Sequence, residues 1–442
     1  MTNIRVGVTD HLDPEEQAML LAMYSRTFTS IESRLPQTPE EHASLKERLH
    51  KFYVNYGHKS VGQLGSTTIF FEGVSQIAAK ALEDTPLFNG QESSTRYIDY
   101  SNQPMYNSHP VIKEWQEKFR ALYIKALPLT FEKVMKEYPL DEQSGVSITT
   151  YQNTIKARAF DICRGILPAG STTNVGFSGT FDTLNEHLGK LLKHPCQEVS
   201  NIAANAIGFL AAKYPSAGYD LMKHYQRNSF IDKVSYFYYT PDIREGSGVS
   251  NSFLEIDNAS PRNDFIVDAL PREKFSTYPR HISDKCRMTY SAFLDFGGYR
   301  DIHRHRNGYC SMPLLTAERG IHPFYLQQLP EGIATEFKQL VVELNKWSPT
   351  MIGGTREISK YEYQYAIPMG CVVYFEYSCE LNQALYITEL RSGKTVHQTV
   401  RQYAQDWATK LTKLTSGKIK IHADMGEDNF TLKRGTQTLN IN

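Results

Sequence analysis

One string occurs twice in this chain. Ile166-Leu167-Pro168-Ala169-Gly170 and Ala366-Ile367-Pro368-Met369-Gly370 share a proline and a glycine at a single offset of about two hundred residues. Each copy closes a helical run, because proline disfavours α geometry in the residue before it and has no amide to donate. Each is followed by an apolar-periodic helix, a short polar interruption (193–195 in the first, 392–395 in the second) and a long terminal helix. The order of elements, more than the string itself, points to a degenerate tandem repeat. A chain of 442 residues and 50.5 kDa is long enough for two such domains, each with its own core.

Periodicity fills in the rest. Apolar positions at helical spacing (Met19, Leu20, Met23, Tyr24, Phe28) predict a helix within 14–33, and a second amphipathic run covers 40–56. Residues 66–71 are β-prone, and Glu72-Gly73 leads into an apolar helix over 74–82. Helices are expected over 110–138, 150–167, 181–192 and 198–213. In the second half, 288–296 reads as a strand, Gly297-Gly298 as a turn into a helix through Arg300, and 324–346 as a helix broken at Pro330. The Gly/Ser-rich run 245–252 is the expected hinge. Two domains follow, 1–225 and 226–442.

Composition narrows the class. Lys+Arg 48 against Asp+Glu 48 leaves no net field to recruit nucleic acid or an anionic membrane surface, so any anion site is local. The cysteines (Cys163, Cys196, Cys286, Cys310, Cys371, Cys379) form no C-x-x-C pair and read as reduced, mostly buried thiols. The N-terminal residues are polar and acidic without an apolar leader core, and no run of about twenty apolar residues occurs. A soluble cytoplasmic protein is expected. His187, His194, His322 and His422 lack metal-ligand spacing, so no metal site is expected, and no phosphate-binding glycine motif opens a helix.

Three constellations carry chemistry. In Gln91-Glu92-Ser93-Ser94-Thr95-Arg96-Tyr97, hydroxyls and an acceptor stand beside an arginine whose planar fork suits a phosphate. An ordinary polar loop, with Glu92 paired to Arg96, is the competing reading. In Tyr299-Arg300-Asp301-Ile302-His303-Arg304-His305-Arg306, three arginines and two histidines crowd together, which is costly unless an anion or carboxylates meet them. A solvated basic stretch is the alternative. The third is Leu390-Arg391 with His397-Gln398 and Val400-Arg401. There Arg391 is either a site residue or a helix-terminal arginine bonding carbonyls.

Gly57-His58-Lys59-Ser60-Val61, then Thr68-Ile69-Phe70-Phe71, Gly73-Val74-Ser75 and Gln91 to Tyr97, resemble in their order the core pattern of the flavin-dependent thymidylate synthases, the ThyX family. In that family an Arg-His-Arg string runs directly into the serine-arginine loop. Here Asp84-Thr85-Pro86 stand at the Arg-His-Arg positions, and Gln63-Leu64 where Glu-His is usual. The second half has Arg304-His305-Arg306 but continues as Asn307-Gly308-Tyr309-Cys310-Ser311-Met312-Pro313. Each half keeps what the other lacks.

The resemblance implies an α+β fold: two ThyX-like domains in tandem, each a small, mainly antiparallel sheet packed with long helices. It implies transfer of a one-carbon unit from methylenetetrahydrofolate to C5 of dUMP through reduced FAD, with NADPH as reductant. Glu92, Ser94, Arg96 and Tyr97 would hold the nucleotide; Arg300, Arg304, His305, Arg306 and His58 the flavin. Arg391 would polarise the pyrimidine as C5 becomes nucleophilic. The family's tetramer would become a homodimer of tandem chains. Two further readings are C5 modification of another pyrimidine nucleotide and a non-catalytic nucleotide-binding scaffold. The resemblance also sets a spatial requirement: Arg304 and Arg96 must face one pocket, within or between chains.

Overall fold

The computed structural model describes residues 12–25, 32–141, 144–226, 253–256, 272–351, 358–427 and 430–437. The expected hinge at 245–252 lies outside these residues, as do 1–11 and 26–31. In chain order the principal elements are α1 (Pro14–Tyr24), α2 (Pro39–Leu49), β1 (Ser66–Ser75), α3 (Gln76–Glu83), β2 (Asn89–Glu92), α4 (Pro110–Glu137), α5 (Ile148–Cys163), β3 (Thr172–Thr180), α6 (Phe181–Leu191) and α7 (Gln197–Lys213). They continue as β4 (Phe253–Ile256), β5 (Arg287–Asp295), α8 (Phe296–His303), β6 (Gly308–Ser311), α9 (Pro323–Gln328), α10 (Glu331–Met351), β7 (Val372–Glu380), α11 (Leu381–Arg391) and α12 (Gln398–Leu414).

The α+β class holds, and local chemistry explains the element boundaries. Asp13 and Thr38 cap α1 and α2 through capping boxes, each with proline in the first turn. Ser75 caps α3 by accepting from the Ala78 amide, so the helix starts two residues later than periodicity placed it. Asp295 does the same for α8 through the Gly298 amide. This corrects the expected Gly297-Gly298 turn: both glycines are helical, because the capping carboxylate starts the helix directly after β5. Pro330 separates α9 from α10 as expected. The six cysteines are all buried and none is in a disulfide, and among the described residues no helix is long and apolar enough to cross a membrane.

Contacts group the chain into two compact units: Met1–Glu72, Leu87–Gln91 and Val175–Phe237 in one, Gly73–Pro86, Glu92–Asn174 and Tyr238–Asn442 in the other. In the first unit, the core gathers Phe177, Leu184, Leu188, Ile207 and Leu210, with Phe88 against Phe177 at 4.9 Å. In the second, β5 and β7 pair antiparallel over nine positions, from Arg287↔Glu380 to Asp295↔Val372. Beneath them Tyr290 stacks on Trp407 at 5.0 Å.

The repeat is visible in the elements. One sheet has the order β1-β3-β2 and the other β4-β5-β7-β6, so β1, β3 and β2 correspond to β5, β7 and β6. Within the second unit the two copies of the proline string meet back to back. Pro168 bridges Pro368 antiparallel. The Ala169 amide donates to the Ile367 carbonyl and the Met369 amide to the Leu167 carbonyl, both at 2.8 Å; Gly170 donates to Tyr365 (2.9 Å) and Gly370 to Gly165 (2.8 Å). Proline lacks a donor, so its neighbours make the exchange in both directions. The approach is close enough to require glycine: a Cβ on Gly370 would lie 2.8 Å from the Gly165 carbonyl oxygen, and one on Gly170 2.8 Å from that of Tyr106.

Gly370→Ala is therefore expected to destabilise the chain by about 1–3 kcal/mol, since only backbone can move to relieve the clash. Gly332→Ala on α10, where a Cβ meets nothing within 4 Å, is expected to be neutral or stabilising by up to about 1 kcal/mol. Urea denaturation midpoints of the two variants check the pair.

Candidate functional site

The second-half basic string ends α8, whose eight residues are all buried. Burial on this scale demands counter-charges, and they come from both halves of the sequence. Arg300 Nη2 donates to Glu92 Oε1. Arg304 Nη2 donates to Asp301 Oδ1 at 2.6 Å, and its Nη1 lies 3.8 Å from Glu92 Oε2. The His303 ring pairs with Asp84 at 3.2 Å, and Asp84 also receives Lys80 at 2.9 Å. Glu92 is thus taken by the arginines of α8 rather than by Arg96, contrary to the polar-loop reading.

Arg96 instead closes its fork on Asp161, with Nε to Oδ1 at 2.8 Å and Nη2 to Oδ2 at 3.0 Å, and bonds the Thr395 carbonyl at 3.0 Å. Asp161 is fully buried and also receives Arg434 Nη1. Ser94 Oγ accepts from the Arg96 amide at 3.1 Å, shaping the turn that aims the arginine. Tyr97 lies under Arg434, 5.4 Å from its ring centre.

Arg391, at the end of α11, donates through Nε to His305 Nε2 at 2.7 Å and through Nη2 to the Asp301 carbonyl at 3.0 Å. The imidazole is therefore an acceptor at Nε2 and neutral. Burial and the nearby Arg391 and Arg304 cations push it in that direction, well below the usual histidine range. Arg306 follows half-buried on the turn into β6. His58 belongs to the other compact unit, where it is exposed beside Phe52 and Tyr56 at 6.2 Å.

Four residues of this cluster went unnoticed in the sequence, Asp161, Arg164, Asp295 and Arg434, and Asp301 was read only as part of the basic string. Arg164 is 2% exposed and lies 3.6 Å from Asp301 and 3.9 Å from Asp295. It sits two residues before Ile166, and the second copy of the string has Gln364 there. A charge present in one copy only was the available signal. Asp301 is the common focus. Despite burial, it is held far below the usual carboxylate range by Arg164, Arg304, Arg391 and Arg96 in turn. Arg304 bonds Asp301 and Arg96 bonds Asp161, so the two arginines end on different carboxylates of the same compact unit.

Six arginines (96, 164, 300, 304, 391, 434) face five buried or half-buried carboxylates (Glu83, Glu92, Asp161, Asp295, Asp301), leaving one positive charge in excess. Several donors in the cluster have no hydrogen-bond partner: Arg164 Nε and Nη2, Arg300 Nε, and Arg434 Nε and Nη2. Such a set is chemically suited to an anion with several oxygens. A separate cavity of about 660 Å³, walled in part by Tyr290, Phe293, Phe324 and Tyr403, is lined by none of these six arginines.

The site geometry, an anion-seeking arginine cluster in an α+β chain, is where similarity to known proteins becomes informative. Residues 8–216 match the family model described as thymidylate synthase complementing protein. The first half of the chain carries that family's sequence pattern, in agreement with the motif order read above. A UPF0159 protein of Chlamydia muridarum is 25% identical over 412 residues, covering 81% of this chain and 77% of that protein. A UPF0159 protein of Thermoplasma acidophilum is 20% identical over 464 residues, covering 88% and 91%. Among solved structures, flavin-dependent thymidylate synthase ThyX from Helicobacter pylori, complexed with FAD and dUMP, aligns with a TM-score of 0.30 at 15% identity, covering 47% of this chain and 96% of that one.

The buried histidines set a pH dependence. His397, fully buried, donates to the Asp161 carbonyl at 3.0 Å and is pushed down to about 3, chiefly by burial and by Arg164. Between that value and the unfolded value of about 6.5, the unfolded chain takes up a proton that the folded chain refuses. Stability is therefore expected to fall by about 2 kcal/mol in all for each such histidine on acidification from pH 7 to 5, the slope steepening below the unfolded value. His305 adds to the trend in the same direction. Urea titrations at pH 7.5, 6 and 5 check this, and His397→Gln is expected to flatten the slope.

Proposed function

We propose that this chain is a flavin-dependent thymidylate synthase-like enzyme. It transfers a one-carbon unit from methylenetetrahydrofolate to C5 of dUMP, with FAD as cofactor and NADPH as reductant. The observation that supports it most is the composite cluster: Glu92 and Arg96, from the string resembling the nucleotide loop, share one buried charge network with Arg300, Arg304, His305 and Arg391. The excess positive charge and the unpartnered guanidinium donors fit a phosphate or a flavin pyrophosphate. Bound FAD would supply the reducing equivalents that take the transferred carbon to the methyl level.

The residues of the chain then have separable roles. Arg300, Arg304 and Arg306 hold the flavin's negative groups, and neutral His305 presents its ring without adding charge. Arg96, braced by Asp161, and the Ser94 turn place the nucleotide phosphate, with Tyr97 beside them and Glu92 fixing the two arginines of α8. Arg391, released from His305, polarises the pyrimidine as negative charge develops at C5. His58, in the G-H-x-S-V segment, serves the flavin by the same resemblance. The two halves, 1–225 and 226–442, derive from a tandem duplication, which the reciprocal Pro168–Pro368 contact supports. The protein works in the cytoplasm as a homodimer equivalent to the family's tetramer.

One observation favours a second reading. Arg96 is fully engaged by Asp161, as it would be in a nucleotide-binding scaffold without catalysis. C5 chemistry on another pyrimidine nucleotide is a variant of the first reading.

Purified protein is expected to show bound-flavin absorbance and to convert dUMP to dTMP with methylenetetrahydrofolate and NADPH. Arg391→Ala is expected to lower kcat by about 10²-fold or more while leaving flavin content unchanged. Nucleotide binding without flavin or turnover would select the scaffold reading, and turnover of a different pyrimidine the variant.

A further inference from the structure

Beyond α12 the chain turns back as a 3₁₀ turn, Leu432–Gln437, and seats itself on α5. The contact is backbone on backbone. A Cβ on Gly435 would collide with the Thr150 carbonyl oxygen, and Thr154 Oγ1 donates to the Leu432 carbonyl at 3.3 Å. This seating delivers Arg434, 5% exposed, to Asp161 Oδ2, the same oxygen that takes the Arg96 fork's second contact. One fully buried carboxylate therefore serves two buried guanidinium groups, and the trio carries one net positive charge. Asp161 can neutralise only one of them. Arg434 also keeps two buried nitrogens, Nε and Nη2, without an acceptor, next to the Tyr97 ring. An unpartnered guanidinium edge in so dry a place is destabilising unless something else fills it.

We propose that Arg434 is a phosphate-site residue: the C-terminal turn brings it beside Arg96 so that the charge left over on the Asp161 trio, and the free Nε and Nη2 donors, are available to the phosphate of a bound nucleotide. This rests on the nucleotide reading above and adds to it a cation from outside every string that resembles the family. It also answers the difficulty that Arg96 is already engaged. With Arg434 present, the Arg96–Asp161 pair is no longer electrically closed. Without it, the pair is neutral and has little attraction for an anion.

The test is isothermal titration of the full-length protein with dUMP and with deoxyuridine, which lacks the phosphate. Arg434→Met removes the charge at similar length, Arg434→Gln keeps a donor for Asp161 should the methionine variant fail to fold, and Arg434→Lys restores the charge. Loss of a charge-assisted phosphate contact predicts dUMP binding weakened about tenfold or more in the neutral variants, partly recovered in the lysine variant, with deoxyuridine binding unchanged. If wild type binds dUMP and the neutral variants bind it equally well, or lose both ligands equally, Arg434 is only a clamp and the proposal is wrong. If wild type itself does not bind dUMP, the nucleotide reading fails, and this proposal with it.

Discussion

The back-to-back contact of Pro168 and Pro368 is the constraint on which the rest of the second unit depends. Four backbone hydrogen bonds, two in each direction, hold the copies of the string together over a few residues. Each contributes only about 1 kcal/mol, but the geometry is unforgiving, because the strings approach too closely for any side chain at Gly170 or Gly370. Arg164 lies just ahead of the crossing, on the first-half side. Fixing the crossing therefore fixes which second-half groups it meets, and those are Asp295 and Asp301 on and before α8.

What the crossing assembles is an ionic network that would be unfavourable piecemeal. Six arginines and five carboxylates share a largely buried volume, and removing any one partner strands another. His305 and His397 remain neutral so as not to add to the positive side, His305 by accepting from Arg391 and His397 by accepting at Nδ1 from the Thr399 amide. The network is nearly but not fully balanced. Besides the guanidinium nitrogens, the carboxylate oxygens Glu83 Oε1 and Oε2, Asp295 Oδ1 and Asp301 Oδ2 also lack hydrogen-bond partners. A tandem chain also has freedom that a homo-oligomer lacks, since its two copies can diverge. Asp84 stands where the other copy has Arg304, and Gln364 where the other has Arg164.

Much of the fold was legible. The helices after each proline string, the break at Pro330 and the strand-helix units around α3 and α8 follow from periodicity and from proline's missing donor. The misjudged Gly297-Gly298 shows the limit: glycine signals a turn by composition, yet a capping carboxylate directly before it starts a helix. At the site, the arginine strings were legible because like charges crowded along a sequence need explanation. Their partners were not. Asp161 and Arg434 are separated by more than half the chain and look like ordinary helix and tail residues.

By itself, then, the sequence determined the duplication, the α+β elements and the division of the arginine and serine-arginine strings between two copies, because these are properties of spacing and residue type along one dimension. The tertiary structure alone shows that Glu92 serves Arg300 while Asp161 serves Arg96, and that the C-terminal turn brings Arg434 to Asp161. Which carboxylate neutralises which arginine depends on distances of a few ångströms between residues far apart in the chain, and at such distances burial, not sequence proximity, sets the strength of the interaction.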